Sequence, residues 1–569
     1  MRIARFLTAS LLGLFLLLPA SSQAQVDSTY SAFKELGNDF WTWRAWNQPV
    51  SGDDITRIER PEGWLPDWWP QSVRTRQMEL AAYQDQLAAA DSSGWTIPQQ
   101  VNYRLLSSAL ARVDWELNIN ADWQRNPLFY VHQTLGSIFD LLLEPPPFTE
   151  GRSNDIIARL EHIGTTVESA KVNLDKSVRV FAELAIEELE QAGPRLDEFE
   201  RTISSQLVGE SASRLEFVVG VAKESLEDFR TWLERGLAYM SKDTALGRDA
   251  YQFFLNYVAL MPYSPEELLT MARLEWERSV AFETIEKQRN IFVPELPLAA
   301  SQEAQVETNR QDELAVRAFL EDNGILTVPV WLQHYENLPL PDYLAPFAHL
   351  GVIDDLTSPS RLGENGVKYI RQPSLDLPYF SLATARDSRP ILVHEGIPGH
   401  YFQLALSWAQ PDTLRRYYYD SGANEGIGFY AEEMMLQAGY FDDSPKAREI
   451  IYNFMRLRAL RVEVDVKLAT GEFTIDEAAD YLTETVPMDR TTAENEAAFF
   501  ASTPGQAITY QIGKIQIIKF MSDARSALGT AFSLRDFHDF VWVNGNVPIA
   551  LQRWEYLGLR DEINRLDGR

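Results

Sequence analysis

The chain contains no cysteine among its 569 residues. Disulfides, thiolate metal sites and cysteine nucleophiles are therefore excluded, and so is a lipid-carrying cysteine at a signal cleavage point. Positive charge is in deficit: 52 Lys and Arg face 82 Asp and Glu, a formal net charge of −30. A chain of this sign repels a phosphate backbone, so nucleic acid is not an expected partner. Histidine is scarce, with seven in the chain, which makes any clustering of them informative. Strand-like alternation is rare, and internal repeats, coiled-coil seams and low-complexity tracts are lacking. A G-x-S-x-G elbow, a phosphate-binding loop, a dinucleotide fingerprint and an EF-hand loop are lacking too, and with them the chemistries they carry.

What is present begins with an export signal. Arg2 and Arg5 precede an apolar run from Phe6 to about Ala20, followed by the small-residue end Ser22-Gln23-Ala24. This reads as a secretory signal peptide over 1–24, cleaved after Ala24. The run is short against the roughly 20 apolar residues of a membrane-spanning helix. Residues 25–569 are accordingly expected in the periplasm or outside the cell, without stable membrane insertion.

With 45% hydrophobic and 24% charged residues the remainder is globular. It is too long for one ordinary core, so a large, mainly α fold in two lobes is expected. TRQMELAAYQDQLAAA, VNYRLLSSALARVDWEL and DKSVRVFAELAIEELEQA, the last closed by Gly193-Pro194, carry apolar residues at helical spacing. Ser264-Pro265-Glu266-Glu267 is a helix start signal. The polar stretch 299–312 reads as a connection or a polar helix, dividing an N-terminal lobe of about 25–310 from a second lobe of about 311–569. Trp41, Trp43, Trp46, Trp64, Trp68 and Trp69 read as helix packing rather than a carbohydrate platform. The best strand candidates are LTVPVWL (326–332) and VKYIRQPSLDLPYFSLAT (367–384), a small β element just before the densest ligand cluster. An edge strand there could hold an extended substrate by backbone hydrogen bonds.

That cluster is HEGIPGH, His394 to His400. On a regular helix, residues four apart sit roughly 40° from each other, whereas residues six apart sit roughly 120° and 9 Å apart. A straight helix cannot bring both histidines to one metal. Pro398 lacks the N–H that the His394 carbonyl would accept, and Gly399 is free of side-chain restrictions, so a break there could restore the facing arrangement. Zinc would then lower the pKa of a bound water to roughly 7, with Glu395 as general base. The rival reading is a helix N-terminus with two incidental histidines. Glu425, in ANEGIGFYAEEMM, supplies a third ligand from a second helix and leaves a position open, as catalytic zinc requires. Glu432 and Glu433 further along read as solvated acids, with support of the ligands as the other reading.

HEGIPGHYFQ, NEGIGFYAEEM, RALRVEVD, TPGQAITYQIGK and FSLRDFHDFVWVNGNVPIALQ, in this order over 394–551, resemble the bacterial domain-of-unknown-function 885 family. That family is similar to gluzincin-type zinc metallopeptidases, which implies a zincin-like fold. The resemblance implies one zinc ion per chain on His394, His400 and Glu425, with Glu395 as catalytic base. Tyr510 is similar in placement to an oxyanion-stabilising tyrosine, with a buried core tyrosine as the other reading, and His538 stands where substrate or oxyanion binding or mere packing would put it. Arg461 and Asp465 match an arginine–aspartate block, as an ion pair supporting the site or as a substrate-carboxylate anchor. Departures are Tyr401, where family members often carry a second histidine, and Ala469, Phe499 and Met521, where His or basic residues are usual. The expected function is an exported zinc metallopeptidase acting on short peptides. The alternatives are a catalytically inactive binding protein of the same fold, suggested by the lost basic positions, and a metal-dependent amidase on a non-peptide substrate.

Overall fold

The structure, a computed structural model, describes residues 20–51, 58–486 and 488–569. The signal-peptide reading falls mainly on residues 1–19, which lie outside the described residues. Among the described residues no helix is long and apolar enough to cross a membrane.

The periodicity translates into a mainly helical chain with one three-stranded sheet among the described residues. In the N-terminal half, helix Glu150–Asn173 buries Ile156, Ile157, Leu160, Ile163 and Val167 at helical spacing. It packs against helix Ser211–Gly236, which buries Leu215, Val218, Val219, Ala222 and Leu226. Removing such stripes from water, at about 25 cal/mol per Å² of apolar surface, drives this packing. Gly193-Pro194 falls in the first turn of helix Ala192–Ile203 instead of closing the preceding one, which stops at Glu190. A first turn tolerates proline because the missing N–H has no partner there anyway.

The elements around the cluster are α1 (Pro265–Arg289), α2 (Gln302–Asp322), β1 (Tyr335–Pro339), β2 (Asp354–Asp355), β3 (Gly366–Ile370), α3 (His400–Trp408), α4 (Ser421–Gln437), α5 (Pro445–Thr470), α6 (Arg490–Ser502), α7 (Thr509–Leu528) and α8 (Leu534–Asn544). The start of α1 is the expected one: the Ser264 hydroxyl accepts from the Glu267 N–H at 3.3 Å, and Glu267 accepts from the Ser264 N–H at 2.8 Å. This reciprocal cap satisfies two donors that a helix start otherwise leaves unpaired. The polar stretch 299–312 forms the start of α2, capped by Ser301. Segments from both sides of residue 310 meet in one apolar cluster, where Tyr343, Phe347, Tyr369 and Trp554 join the core of the first 260 residues.

The strand expectations hold in part. LTVPVWL is irregular, since Pro329 has no N–H to give a ladder, and the strand begins at Tyr335 instead. Of 367–384 only the beginning is strand; the chain turns through Pro373 and Pro378 into a helix at Tyr379–Arg386. The order is β1-β3-β2, with Tyr335 opposite Gly366 in the parallel pair and Asp354 opposite Lys368 in the antiparallel pair.

Glycines set two close approaches. A Cβ on Gly513 of α7 would lie 2.0 Å from the Gly422 carbonyl oxygen of α4, so the two backbones touch. A Cβ on Gly396 would lie 2.4 Å from the Tyr335 ring, and one on Gly366 would lie 2.6 Å from the Tyr401 ring. The sheet is thereby pressed onto HEGIPGH, with Tyr335 and Tyr401 stacked at 5.7 Å.

Candidate metal centre

HEGIPGH is broken where proline and glycine fall. Leu392–Gly396 forms one wide helical turn, closed by the Ile397 N–H on the Leu392 carbonyl at 3.1 Å, and α3 starts afresh at His400. Between them the Ile397–Pro398 peptide is cis. The Trp542 indole N–H of α8 donates to the Pro398 carbonyl at 2.6 Å, which fixes the turn from outside. Gly399 has an ordinary φ of −75°, so its freedom from side-chain restrictions is not a matter of φ. Space is what excludes a side chain: a Cβ there would lie 1.7 Å from the His394 carbonyl oxygen.

The break brings the two imidazoles together at 4.7 Å between ring centroids. Glu425 arrives from α4 with its Oε2 3.3 Å from His394 Nε2 and 3.4 Å from His400 Nε2. The three candidate ligand atoms lie within 4.8 Å of one another, and all three residues are buried. Glu425 Oε2 makes no well-formed hydrogen bond in this enclosed position. The rings rest on Gly428, where a Cβ would come within 2.9 Å of the His400 Cε1 and 3.1 Å of the His394 Cε1. A buried carboxylate oxygen without a hydrogen bond, facing two imidazole nitrogens, fits a metal cation.

The electrostatics agree. Burial and Arg458 push the His394 imidazole down, but Glu425 and Glu432 outweigh them and lift it to about 9. Burial pushes Glu425 up, yet His400 and His394 hold it well below the ordinary carboxylate range. The site thus favours positive charge at its centre, whether proton or metal.

Glu432 and Glu433 are not solvated acids. Both are buried, because α4 is covered on nearly all sides, most extensively by α7. Glu432 Oε1 lies 2.7 Å from His394 Nδ1 and 3.0 Å from Arg458 Nη2. Glu433 accepts from Lys514 at 2.8 Å and from Arg278, tying α4 to α7 and α1. A carboxylate on Nδ1 fixes the tautomer that presents Nε2 to a metal. Glu432→Gln is expected to weaken metal binding by about 10- to 100-fold, measured by competition with a chromophoric chelator. Unchanged affinity would remove Glu432 from the site.

Glu395 follows His394 in the chain and lines a cavity of about 1420 Å³, which Lys368, His394, His400, Glu425, Arg458, Arg461 and Tyr510 also line. Burial pushes Glu395 up, but Lys368, His394 and His400 outweigh it, and the net shift is downward. The carboxylate is therefore held in its basic, anionic form. Tyr510 lies beside the ligands, its ring stacked on His394 at 6.2 Å and 17°. Asp465 and Arg461 do not pair with each other. Asp465 accepts from the Gly505 N–H at 2.8 Å and the Ile508 N–H at 3.2 Å, which anchors the turn leading to Tyr510. Arg461 pairs with Glu496 of α6 and lies 4.9 Å from the Tyr510 ring centre.

His538 is not brought to the cavity. Its two ring nitrogens are engaged by the Tyr430 hydroxyl and the Ile325 carbonyl, both at 2.8 Å, and burial pushes it down to about 4. A neutral imidazole bonded at both nitrogens ties α8 to its surroundings. Among the family departures, Phe499 lines the cavity, whereas Ala469 is buried in the core. Two site residues had no signal as such in the sequence. Arg458 belongs to the arginine–aspartate block but nothing local distinguishes it from Arg461, and Lys368 lies in a strand whose partner Asp354 is set by tertiary packing.

Asp420 caps α4 and accepts from the Ala423 N–H at 2.9 Å, yet burial raises it to about 7 and Oδ1 has no partner. A raised folded-state carboxyl binds its proton more tightly than the unfolded one. Its stabilising contribution is complete below the ordinary carboxylate range and is lost as pH rises through about 7. Asn caps as well as Asp but does not ionise. The Tm of D420N relative to wild type should therefore climb between pH 5 and 8, and a difference independent of pH would contradict this.

No curated protein matches the chain. Solved structures share its fold, and two of them show how closely. One, described as a lipoprotein of unknown function from Shewanella oneidensis, has a TM-score of 0.68 and 16% identity, over 95% of this chain and all of its own length (100%). The other, described as a lipoprotein from Colwellia psychrerythraea, has a TM-score of 0.71 and 18% identity, over 97% of this chain and 100% of its own. The sequence blocks that converge on this centre lie within residues 51–554, which match one family over most of the chain, and the protein therefore belongs to the family of bacterial proteins of unknown function DUF885.

Proposed function

We propose that the protein is an exported zinc-dependent metallopeptidase that hydrolyses short peptides. The observation that carries this reading is the convergence of His394, His400 and Glu425, with Glu395 open to the same cavity. A His₂–carboxylate set leaves a coordination position free, as catalytic zinc sites do. A bound zinc ion would supply Lewis acidity toward the scissile carbonyl and toward water. The remaining work falls to the chain's own groups. Glu395 takes a proton from the attacking water and returns it to the leaving nitrogen. Tyr510 donates from its phenol to the carbonyl oxygen as negative charge develops there. Glu432 and Arg458 hold the His394 ring. The edge strand β2, beside the cavity-lining residues Ile353 and Leu356, offers backbone groups to an extended chain. A cleft walled on several sides admits an unfolded peptide and excludes a folded protein.

The test is direct. Purified protein is assayed for bound metal, and for cleavage of a mixed peptide library before and after a chelator. One zinc per chain is expected, with cleavage lost on chelation and restored by zinc. Metal without cleavage would overturn the peptidase reading, and no metal after purification without chelators would overturn the site.

A further inference from the structure

The helix Ile97–Asp114 brings a charged side chain to the wall of the main cavity. Its Ser108 hydroxyl donates to the Val258 carbonyl at 2.6 Å and meets the Tyr418 hydroxyl at 2.9 Å, two residues before the Asp420 cap of α4. Arg112 stands one helical turn beyond Ser108 on the same face. It is half-buried and lines both the main cavity and a smaller one of about 330 Å³. Ser421, Asn424 and Glu425 of α4 line the main cavity with it. The guanidinium carbon lies 6.0 Å from the Phe254 ring centre, the outer limit of a cation–π contact. Among the described residues no hydrogen bond or ion pair reaches this guanidinium. The acids around it are committed elsewhere: Glu116 to Arg44 at 2.7 Å, Asp420 to the Ala423 N–H at 2.9 Å, and Glu59 to the Ser360 N–H at 3.0 Å. Other cations of the cavity wall have partners, Arg361 in Asp355, Lys368 in Asp354, Arg458 in Glu432 and Arg461 in Glu496. Arg371, which has none among the described residues, is exposed at the surface.

We propose that Arg112 is a specificity-determining residue that binds a carboxylate of the substrate, so that the cavity selects peptides with an acidic side chain or a free C-terminus at this end. The claim rests on the peptidase reading above and adds to it the chemistry of the substrate. A guanidinium offers N–H donors in a planar fork, which a carboxylate meets with two parallel bonds. A half-buried charge without a partner has lost part of its hydration with nothing in return, and a substrate carboxylate supplies the return. Along α4 the Asp420 cap and the candidate ligand Glu425 are about 7.5 Å apart, a span that two or three residues of extended peptide cover. A short peptide with its scissile carbonyl at the metal centre therefore extends along α4 toward Arg112. The acidity of the whole chain does not oppose this, because at physiological salt exposed charges beyond about 8 Å are screened, whereas a contact at hydrogen-bond range is not.

Peptides based on one cleaved sequence, with Glu or Gln at each position in turn and a free or amidated C-terminus, are compared on wild type, Arg112→Gln and Arg112→Lys. Metal content and melting temperature are measured alongside. Wild type is expected to favour the peptide with the recognised carboxylate about 10- to 100-fold in kcat/KM, chiefly through KM. Arg112→Gln should make no such distinction, and Arg112→Lys should keep part of it. A preference that follows Glu assigns the contact to an acidic side chain, and one that follows the free terminus assigns it to the peptide end. Wild type indifferent to both carboxylates, or a preference that survives in Arg112→Gln, would overturn the proposal and leave the peptidase reading standing. A variant that loses its metal or unfolds would show Arg112 to be structural, which also overturns it. If wild type cleaves nothing, the peptidase reading falls, and calorimetric titration with the peptide Ala-Ala-Glu decides about Arg112 alone. Binding that Arg112→Gln loses would retain the anchor, whereas no binding, or equal binding by both proteins, would overturn it.

Discussion

Glu395→Gln is expected to lower kcat for peptide hydrolysis by about 10³-fold, close to 4 kcal/mol of barrier, while leaving bound metal unchanged. Gln keeps the size of the side chain and its hydrogen-bonding reach, but it cannot accept a proton from water at neutral pH. None of the three candidate ligands is altered, so metal analysis of the variant should match wild type. KM should change little, since Glu395 acts on water and not on the peptide. A variant with full metal and full rate would show that the base is another group. A variant that loses its metal would show that Glu395 belongs to the ligand set, and the open coordination position would have to be reconsidered.

Gly399→Ala is expected to weaken metal binding at least about 100-fold, in line with the loss that follows when ligand support is disturbed, and to abolish hydrolysis, with the helical circular dichroism signal largely kept. The added methyl would stand 1.7 Å from the His394 carbonyl oxygen and 2.6 Å from that of Val393. Both are backbone atoms of the turn that carries the first ligand, so neither can rotate aside as a side-chain end would. Relief requires moving His394 away from His400. The rest of the molecule has little reason to respond, because α4 and its partners pack independently of this methyl. Measuring metal affinity and the melting curve of the same preparation separates the two effects. Undiminished metal affinity would show that the histidines can meet without the tight break, and that the glycine is incidental.

Much of the helical framework was legible because helices announce themselves locally: a stripe at helical spacing, a Ser-Pro-Glu-Glu start, a polar run that begins α2. The strands were less so. Pro329 lies inside a run that alternates well enough on paper, and Tyr335 to Pro339 is strand because β3 and α2 lie beside it. The site divides in the same way. His394, Glu395 and His400 stand in one short segment, and Glu425 among glycines invites close helix packing. His538 looked equally eligible, since an isolated histidine in sequence does not reveal that its nitrogens are already bonded. Glu432 and Glu433 read as solvent-facing for the converse reason: the composition of α4 does not tell which neighbours cover it.

The sequence alone determined that this is a cysteine-free, acidic, mainly helical chain whose one dense ligand cluster needs a broken helix to work, because proline and glycine act on their immediate backbone neighbours. Tertiary structure alone decided that Glu425 meets both histidines, that Glu432 and Arg458 stand behind His394, and that Lys368 lines the same cavity as Glu395. Those contacts join residues up to several dozen positions apart. They exist because glycines let α4 and α7 touch and the sheet press on the turn, and such long-range packing leaves no local trace in the order of residues.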